Sequence, residues 1–177
     1  MRFSEDELGQ FMGCDGNPRA IHRWEAQTPR AVIVAIHGGM AHAGNYMTPA
    51  LFFKEEGLTT VSFDLVGHQR QVRVDIPSFE VFLKDTVLFL DWVETHYPQV
   101  PILIMGHSMG GLIVSHLEIK ALLKRPSIKG VVLSSPYFVN AIQVPKLMEK
   151  TASLLAWLLP KAKVPLPYVT DQLTHDT

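Results

Sequence analysis

Short runs of apolar and β-branched residues recur along the chain, separated by longer amphipathic stretches. The runs occupy residues 31–36, 58–63, 101–105 and 128–136. Within the first run every residue is apolar, so no polar position alternates with an apolar one. A run of this kind is typical of a strand that is buried on both faces of a parallel sheet. The pattern therefore predicts four parallel strands.

The intervals between these strands predict helices over residues 46–56, 78–97 and 109–123. Ser78 is a suitable N-cap for the second helix, and Gly57 ends the first. Strands that alternate with helices predict an α/β fold, with an open, mostly parallel sheet, helices on both faces and right-handed crossovers. Before this core, apolar and polar residues alternate over residues 20–25, which predicts an edge strand. Residues 1–19 predict an irregular or hairpin lead-in.

The character of the chain changes after the fourth predicted strand. Residues 144–159 are largely apolar with one polar face, and Pro160, Pro165 and Pro167 then stop regular structure. We therefore expect two parts, a core over residues 1–136 and an inserted helical lid over residues 137–177. The apolar face of this segment needs a partner, either the mouth of a site or an acyl chain. An ordinary core helix is the alternative.

Composition narrows the class of protein. The chain has 177 residues, of which 47% are hydrophobic and 19% charged, so a folded domain is expected. The net charge of −1 and the lack of a Lys/Arg block argue against nucleic acid as a partner. Cys14 is the single cysteine, which excludes a disulfide framework. No cofactor or metal site is suggested, and the lack of a signal or a long apolar span predicts a cytoplasmic protein.

The stretch 106–111, Gly-His-Ser-Met-Gly-Gly, carries the chemistry. It places Ser108 at the apex of a strand–turn–helix unit, where a strained turn exposes its hydroxyl as a nucleophile. Gly106 and Gly110 keep side chains out of the space where the strand and the helix nearly touch. The Met109 N–H then lies at a helix N-terminus, where the dipole favours developing negative charge.

Other polar residues follow the remaining predicted strands. His37, Gly38 and Gly39 follow the first strand, Asp64 follows the second, and residues 134–136 end the fourth. Ligands of open parallel sheets bind beyond the carboxyl ends of the strands, so these residues are expected near Ser108. For His37 itself, as for His68 and His107, structural hydrogen bonding is the favoured interpretation.

With these motifs the chain resembles the α/β-hydrolase fold, and within it the monoacylglycerol lipase and lysophospholipase group of serine hydrolases. The matching segments are residues 37–46, 64–68 and 106–111, and the resemblance extends from about Trp24 to Thr177. It implies Ser108 as the nucleophile and the backbone N–H groups of Gly39 and Met109 as the oxyanion hole. It also implies hydrolysis of a monoacylglycerol or lysophospholipid-like ester. Met40, Leu154 and Leu158 would line the pocket and lid, which would contact a membrane or micelle surface.

The chain departs from the family in two ways. The triad order in this fold is Ser, acid, His, and the sequence ends before the later strands that carry the last two. We therefore expect this chain to lack the triad acid and histidine, and a complementary C-terminal segment to supply them. The second departure is at residues 67–70, Gly-His-Gln-Arg, where the family has a second glycine. Four residues are poor substitutes for the missing acid and base: His116, His175, Asp171 and Asp176.

Two alternatives stay open at this point. The chain is either a piece of an ester hydrolase or a non-catalytic module that binds a hydrophobic ligand or partner. A peptidase or acyltransferase on the same fold is a further enzymatic possibility. A parallel sheet without its last strands also leaves an open hydrophobic edge, so we expect the isolated chain to be marginally stable or prone to aggregation.

Overall fold

The computed structural model describes residues 5–68 and 76–139, together with residue 151. The chain divides into two compact units, Met1–Phe138 and Val139–Thr177, and every element given below belongs to the first. Leu154 and Leu158 of the predicted lid lie outside the described residues. The division into core and lid therefore stays a prediction. Within the described ranges, no helix combines the length and the apolar character needed to cross a membrane.

A mixed sheet forms the centre of the first unit. Its strands are β1 (Glu7–Met12), β2 (Pro18–Trp24), β3 (Ala31–Ile36), β4 (Leu58–Phe63), β5 (Ile102–His107) and β6 (Ile128–Ser134). Their order in the described part of the chain is β1-β2-β4-β3-β5-β6. The strands from β3 to β6 pair in parallel, which confirms the four predicted strands, and β1 and β2 form an antiparallel hairpin. The mostly parallel α/β architecture is thus confirmed.

The prediction of an edge strand over residues 20–25 is wrong. β2 pairs with β4 on one side and with β1 on the other, so it lies inside the sheet. The reason is that residues 7–12 add a further strand, although glycines and polar residues dominate the lead-in. Of the two forms considered for that lead-in, the hairpin is observed.

Three α-helices connect the strands: α1 (Met47–Glu55), α2 (Phe79–His96) and α3 (Met109–Ile119). A 3-10 turn, Ala43–Tyr46, precedes α1. The prediction that α3 continues to residue 123 is wrong. Ala121 adopts a φ of 56°, and the Leu122 N–H donates to the Leu117 carbonyl at 2.9 Å, which ends the helix in a Schellman-type turn.

The helices cover both faces of the sheet, as predicted. A large apolar cluster joins α2 and α3 to the strands on one face and includes Phe63, Phe89 and Leu117. A smaller cluster joins the α1 region to the other face through Trp24, Tyr46 and Ala50. Between them, all six residues of β3 are buried. β3 and β5 therefore give the site that follows them a rigid base.

A buried ion pair fastens the β1–β2 hairpin to α2. The Arg19 Nε lies 2.7 Å from the Asp85 Oδ2, and both residues are almost fully buried. The other Asp85 oxygen accepts the Cys14 N–H at 2.8 Å. Asp85 is therefore a structural carboxylate that ties α2 to the hairpin.

Apolar residues are exposed on β6, the last strand of the sheet. Val131, Val132 and Leu133 are 41%, 51% and 41% exposed. No strand of the described ranges pairs with the outer edge of β6. The open hydrophobic edge expected from the sequence is therefore present in the described part of the chain.

Candidate active site

Ser108 occupies the turn between the end of β5 and the start of α3. Its φ of 52° and ψ of −116° are strained values for a residue with a side chain. Hydrogen bonds hold it there, because its N–H donates to the Ser134 carbonyl at 3.0 Å and its own carbonyl accepts the N–H groups of Leu112 and Tyr137, each at 3.1 Å. Ser108 is half-buried. The strained turn predicted for Ser108 is confirmed.

Two glycines permit the close approach of strand and helix at this turn. A Cβ atom on Gly110 would lie 2.0 Å from the Ile36 carbonyl oxygen. On Gly106, a Cβ atom would lie 2.6 Å from the Gly110 carbonyl oxygen. Both distances are far below van der Waals contact, and the obstructing atoms belong to rigid backbone. The steric role predicted for these glycines is confirmed.

The loop that follows β3 lies directly against the nucleophile turn. A Cβ atom on Gly38 would lie 3.0 Å from the Ser108 Cβ, and one on Gly39 would lie 3.9 Å from the Met109 Sδ. The structure therefore brings together Ser108, Gly39 and Met109, as the sequence predicts. Their use as nucleophile and oxyanion donors belongs to the proposed function below.

Left-handed backbone is concentrated around the site. Met40 has a φ of 61°, Ser108 of 52° and Ser135 of 44°. Each of the three follows the carboxyl end of a strand, β3, β5 or β6 respectively. Strained non-glycine residues of this kind persist where the surrounding structure over-determines them, often at functional sites. Met40 is also 81% exposed, which places an apolar side chain in solvent on the loop that follows β3.

His37 lies beneath the loop and is 1% exposed. Its Nδ1 lies 2.8 Å from the Gly38 carbonyl oxygen, and its Nε2 accepts the Leu65 N–H at 3.0 Å. Burial lowers the pKa of His37 to about 4, so the ring is neutral at physiological pH. His68 and His107 also make hydrogen bonds, to the Val66 carbonyl and to the Ser134 hydroxyl. Structural hydrogen bonding, the favoured interpretation of these histidines, is confirmed.

Asp64, at the end of β4, holds the far end of the same loop. Its Oδ1 accepts the Ala43 N–H at 2.8 Å and lies 3.7 Å from the His22 Nε2. Burial alone raises the pKa of Asp64, but the hydrogen bonds from His22 and Ala43 lower it overall. His22 also contacts Glu5, with Nδ1 and Oε1 2.8 Å apart. No sequence pattern indicated a role for His22, because its partners Glu5 and Asp64 are distant along the chain.

A cavity of about 360 Å³ opens beside the nucleophile turn. Its lining includes His37, Asn45, Tyr46, Met105 and Ser134. The Tyr46 hydroxyl donates to the Ile36 carbonyl at 2.9 Å, and burial raises the pKa of Tyr46 to about 12. A larger hollow of about 550 Å³ lies at the amino ends of β3 and β4, among residues such as Lys54 and Gly57. It contains no residue of the nucleophile turn, so the smaller cavity is the one relevant to chemistry.

Within residues 5–68 and 76–139, no histidine or carboxylate makes a hydrogen bond with the Ser108 hydroxyl. His116 lies on α3 with its ring against Phe79, with 5.0 Å between ring centroids. The other poor substitutes, Asp171, His175 and Asp176, lie outside the described residues. Residues 5–68 and 76–139 contain no group of three or more His, Cys, Asp or Glu residues that could hold a metal ion.

Comparison with known proteins gives one family over most of the chain. Residues 27–177 match the family described as "Serine aminopeptidase, S33". A monoglyceride lipase of Rattus norvegicus is 32% identical over 159 residues, which is 87% of this chain and 51% of the relative. The phospholipase YtpA of Bacillus subtilis is 31% identical over 155 residues, 86% of this chain and 58% of the relative. The chain thus spans about half the length of the curated relatives it matches.

Solved structures show the same fold. A soluble variant of the monoglyceride lipase of Saccharomyces cerevisiae superposes with a TM-score of 0.69 at 21% identity, covering 93% of this chain and 56% of that one. A thermostable carboxyl esterase of Bacillus coagulans gives a TM-score of 0.68 at 21% identity, and the match covers 86% of this chain and 50% of the esterase. At this level of identity the likeness concerns the fold alone.

Proposed function

The chain belongs to the serine aminopeptidase S33 family and has the α/β-hydrolase fold, and from this premise we propose that it supplies the nucleophile and the oxyanion hole of a carboxylic ester hydrolase. The observation that carries the proposal is Ser108 itself. It is held in a left-handed turn at the end of β5, with Gly38 packed against it and Gly39 packed against the neighbouring Met109. An idle serine would not need that strain.

The proposed reaction is acyl transfer. The Ser108 Oγ attacks the ester carbonyl carbon while a histidine takes the hydroxyl proton. The N–H groups of Gly39 and Met109 donate to the oxyanion of the tetrahedral intermediate, helped at Met109 by the N-terminus of α3. Collapse of the intermediate expels the alcohol, which receives the proton from the histidine. Water then attacks the acyl-enzyme by the same path in reverse and releases the acid.

The general base and its carboxylate partner are assigned to residues outside the described ranges. In support, no described histidine or carboxylate makes a hydrogen bond with the Ser108 hydroxyl. The relatives are about twice as long as the matched region, so the unmatched half of each relative is long enough to carry a general base and its carboxylate partner. We infer that a complementary C-terminal segment completes the site, and that the 177-residue chain on its own turns substrate over poorly.

A single-chain lipid ester, of the monoacylglycerol or lysophospholipid kind, is the proposed substrate. The names of the relatives support it, since two of them are a monoglyceride lipase and a phospholipase. Exposed apolar side chains near the nucleophile turn also support it, because Met40, Tyr137 and Phe138 are 81%, 44% and 57% exposed. We also assign Leu154 and Leu158, in the proposed lid, to the binding of the lipid substrate. Contact of the lid with a membrane or micelle is part of the same proposal. A cytoplasmic location of the protein is proposed as well.

A peptidase is the second candidate, because the family description names an aminopeptidase. Hydrolysis assays on the natural polypeptide that contains this chain separate the two. We expect release of fatty acid from a monoacylglycerol and no release of arylamine from aminoacyl arylamides, with Ser108→Ala inactive in both assays. Arylamine release without fatty-acid release would replace the ester hydrolase with the peptidase.

A further inference from the structure

We propose that His37 is a positioning residue that sets the direction of the Gly39 N–H, and so builds the oxyanion hole from beneath. This inference rests on the proposed function, because it assigns the loop after β3 a donor that acts on the reacting oxygen. It concerns a buried side chain whose effect reaches the chemistry through one peptide group.

The hydrogen bonds of His37 fix its tautomer. The Leu65 N–H lies 3.0 Å from Nε2, and a backbone N–H can only donate, so Nε2 carries no proton. The proton of the neutral ring is therefore on Nδ1, which donates to the Gly38 carbonyl at 2.8 Å. With 1% of the residue exposed, water does not compete for either bond. One ring thus joins the end of β4 to the peptide group between Gly38 and Gly39.

The direction of one carbonyl determines the direction of the next N–H. No cis peptide bond occurs in the described residues, and in a planar trans peptide the C=O and the N–H point in opposite directions. Because the Gly38 carbonyl points at the buried His37 ring, the Gly39 N–H points away from it. Gly38 packs against Ser108, and we therefore assign this N–H to the side of the loop on which Ser108 lies.

The loop has little else to hold this peptide. Gly38 and Gly39 have no side chains, and the other described bond to the Gly38 carbonyl is a long one, from the Ala41 N–H at 3.4 Å. A rotated Gly38–Gly39 peptide would turn a carbonyl oxygen toward the developing oxyanion and repel it. The second anchor of the loop, the bond from Ala43 to Asp64, lies at its far end and leaves this rotation free.

Three variants of the natural polypeptide test the role through the rate of phosphonylation of Ser108 by a fluorophosphonate. His37→Leu removes both bonds. His37→Asn keeps a donor at about the position of Nδ1 and loses the reach to Leu65. His68→Gln is the matched control, because His68 lies 5.4 Å from His37 between ring centroids but makes its own bond to the Val66 carbonyl.

We expect His37→Leu to lower the maximal phosphonylation rate roughly 10- to 100-fold per folded molecule, less than the loss of a whole donor, with little change in the half-saturating concentration. His37→Asn recovers most of the rate, and His68→Gln keeps it. A wild-type rate in folded His37→Leu, or equal loss in the Asn and Leu variants, overturns the proposal. Absence of labelling in the wild type would instead defeat the proposed function.

A measurement on the wild-type protein covers the case in which His37→Leu does not fold. Nitrogen chemical shifts of the ring distinguish its two neutral tautomers. We expect His37 to carry its proton on Nδ1 at neutral pH. A proton on Nε2 would leave the Gly38 carbonyl without a donor from His37 and would overturn the inference.

Discussion

Gly110 of α3 packs so closely on Ile36 of β3 that a Cβ atom on the glycine would lie 2.0 Å from the Ile36 carbonyl oxygen. This contact joins α3, which follows Ser108, to the central strand β3, and the loop that carries Gly38 and Gly39 begins at the next residue after Ile36. The obstructing oxygen belongs to a strand buried on both faces, so it has no room to move. The position of Ser108 therefore depends on the absence of a single methyl group.

The first prediction follows from this contact. Gly110→Ala should destabilise the fold by about 3 kcal/mol or more, because the strand or the helix must move to admit the methyl group. Urea unfolding followed by circular dichroism measures the change. Gly9→Ala is the control, since a Cβ atom there would meet the Ile21 Cβ at an ordinary 3.8 Å. Equal stability of the two variants would show that the observed packing is not that of the protein in solution.

The second prediction concerns the buried pair between Arg19 and Asp85. Asp85→Ala should cost about 3–5 kcal/mol, because it removes the buried partner of the Arg19 guanidinium and leaves it with the more exposed carboxylate of Asp15, 2.9 Å away. Replacing Arg19 and Asp85 together with apolar residues should cost less than the single change, since no guanidinium is then left buried. Thermal unfolding of the single and double variants tests this order. Lys120→Ala breaks an exposed pair with Glu80 and should change stability by less than about 1 kcal/mol.

The third prediction is a loss of stability in acid that originates at His37. The pKa of His37 is about 4 in the folded chain and 6.5 ordinarily, so between these pH values the ring is protonated in the unfolded chain and neutral in the folded chain. Stability should therefore fall as the pH drops from 6.5 toward 4, by about 3 kcal/mol at most from this group. Urea unfolding across this pH range measures the slope, and His37→Asn should flatten it.

His22 provides the control, because folding raises its pKa whereas folding lowers the pKa of His37. Burial alone would lower its pKa, but hydrogen bonds to Asp64 and Glu5 raise it above 6.5. The stability that it adds is fully present below 6.5 and is lost as the pH rises through the folded pKa. His22→Gln should therefore remove a loss of stability that the wild type shows as the pH rises above 6.5, and should leave the slope between 6.5 and 4 unchanged. An unaltered slope between 6.5 and 4 in His37→Asn, or an unaltered slope above 6.5 in His22→Gln, would contradict the assignment of that histidine.

The fourth prediction concerns the exposed edge of β6. The isolated 177-residue chain should self-associate, because an unpaired strand edge with exposed valines pairs readily with other chains. Val132→Lys should reduce the association, since a charge on the edge opposes pairing. Sedimentation velocity at several concentrations measures it. Thr48→Lys adds the same charge on α1, away from the edge, and should leave the association unchanged.

Much of this fold can be predicted from patterns among residues that are neighbours in sequence. The buried strands follow from continuous apolar runs, and the Ser108 turn follows from the glycine spacing around it, because both depend on residues that are neighbours in sequence. The edge-strand prediction for residues 20–25 was wrong because it depends on a partner strand elsewhere in the chain. β1 is a strand because β2 pairs with it, in spite of its polar composition.

The same reasoning applies inside the site. The bond from the Leu65 N–H to His37 and the bond from the Ala43 N–H to Asp64 each join residues more than twenty positions apart. No periodicity reports such pairs, because they exist only once β3 and β4 lie side by side. The left-handed backbone of Met40 and Ser135 was equally invisible, since neither residue type favours that conformation.

The central claim is that Ser108 is a nucleophile, and the most direct test is the mass of the protein after treatment with a fluorophosphonate. We predict one phosphonyl adduct on the natural polypeptide that contains this chain, mapped to the peptide that carries Ser108 and absent from Ser108→Ala. Folded protein that gains no adduct, or gains it at another residue, would contradict the claim.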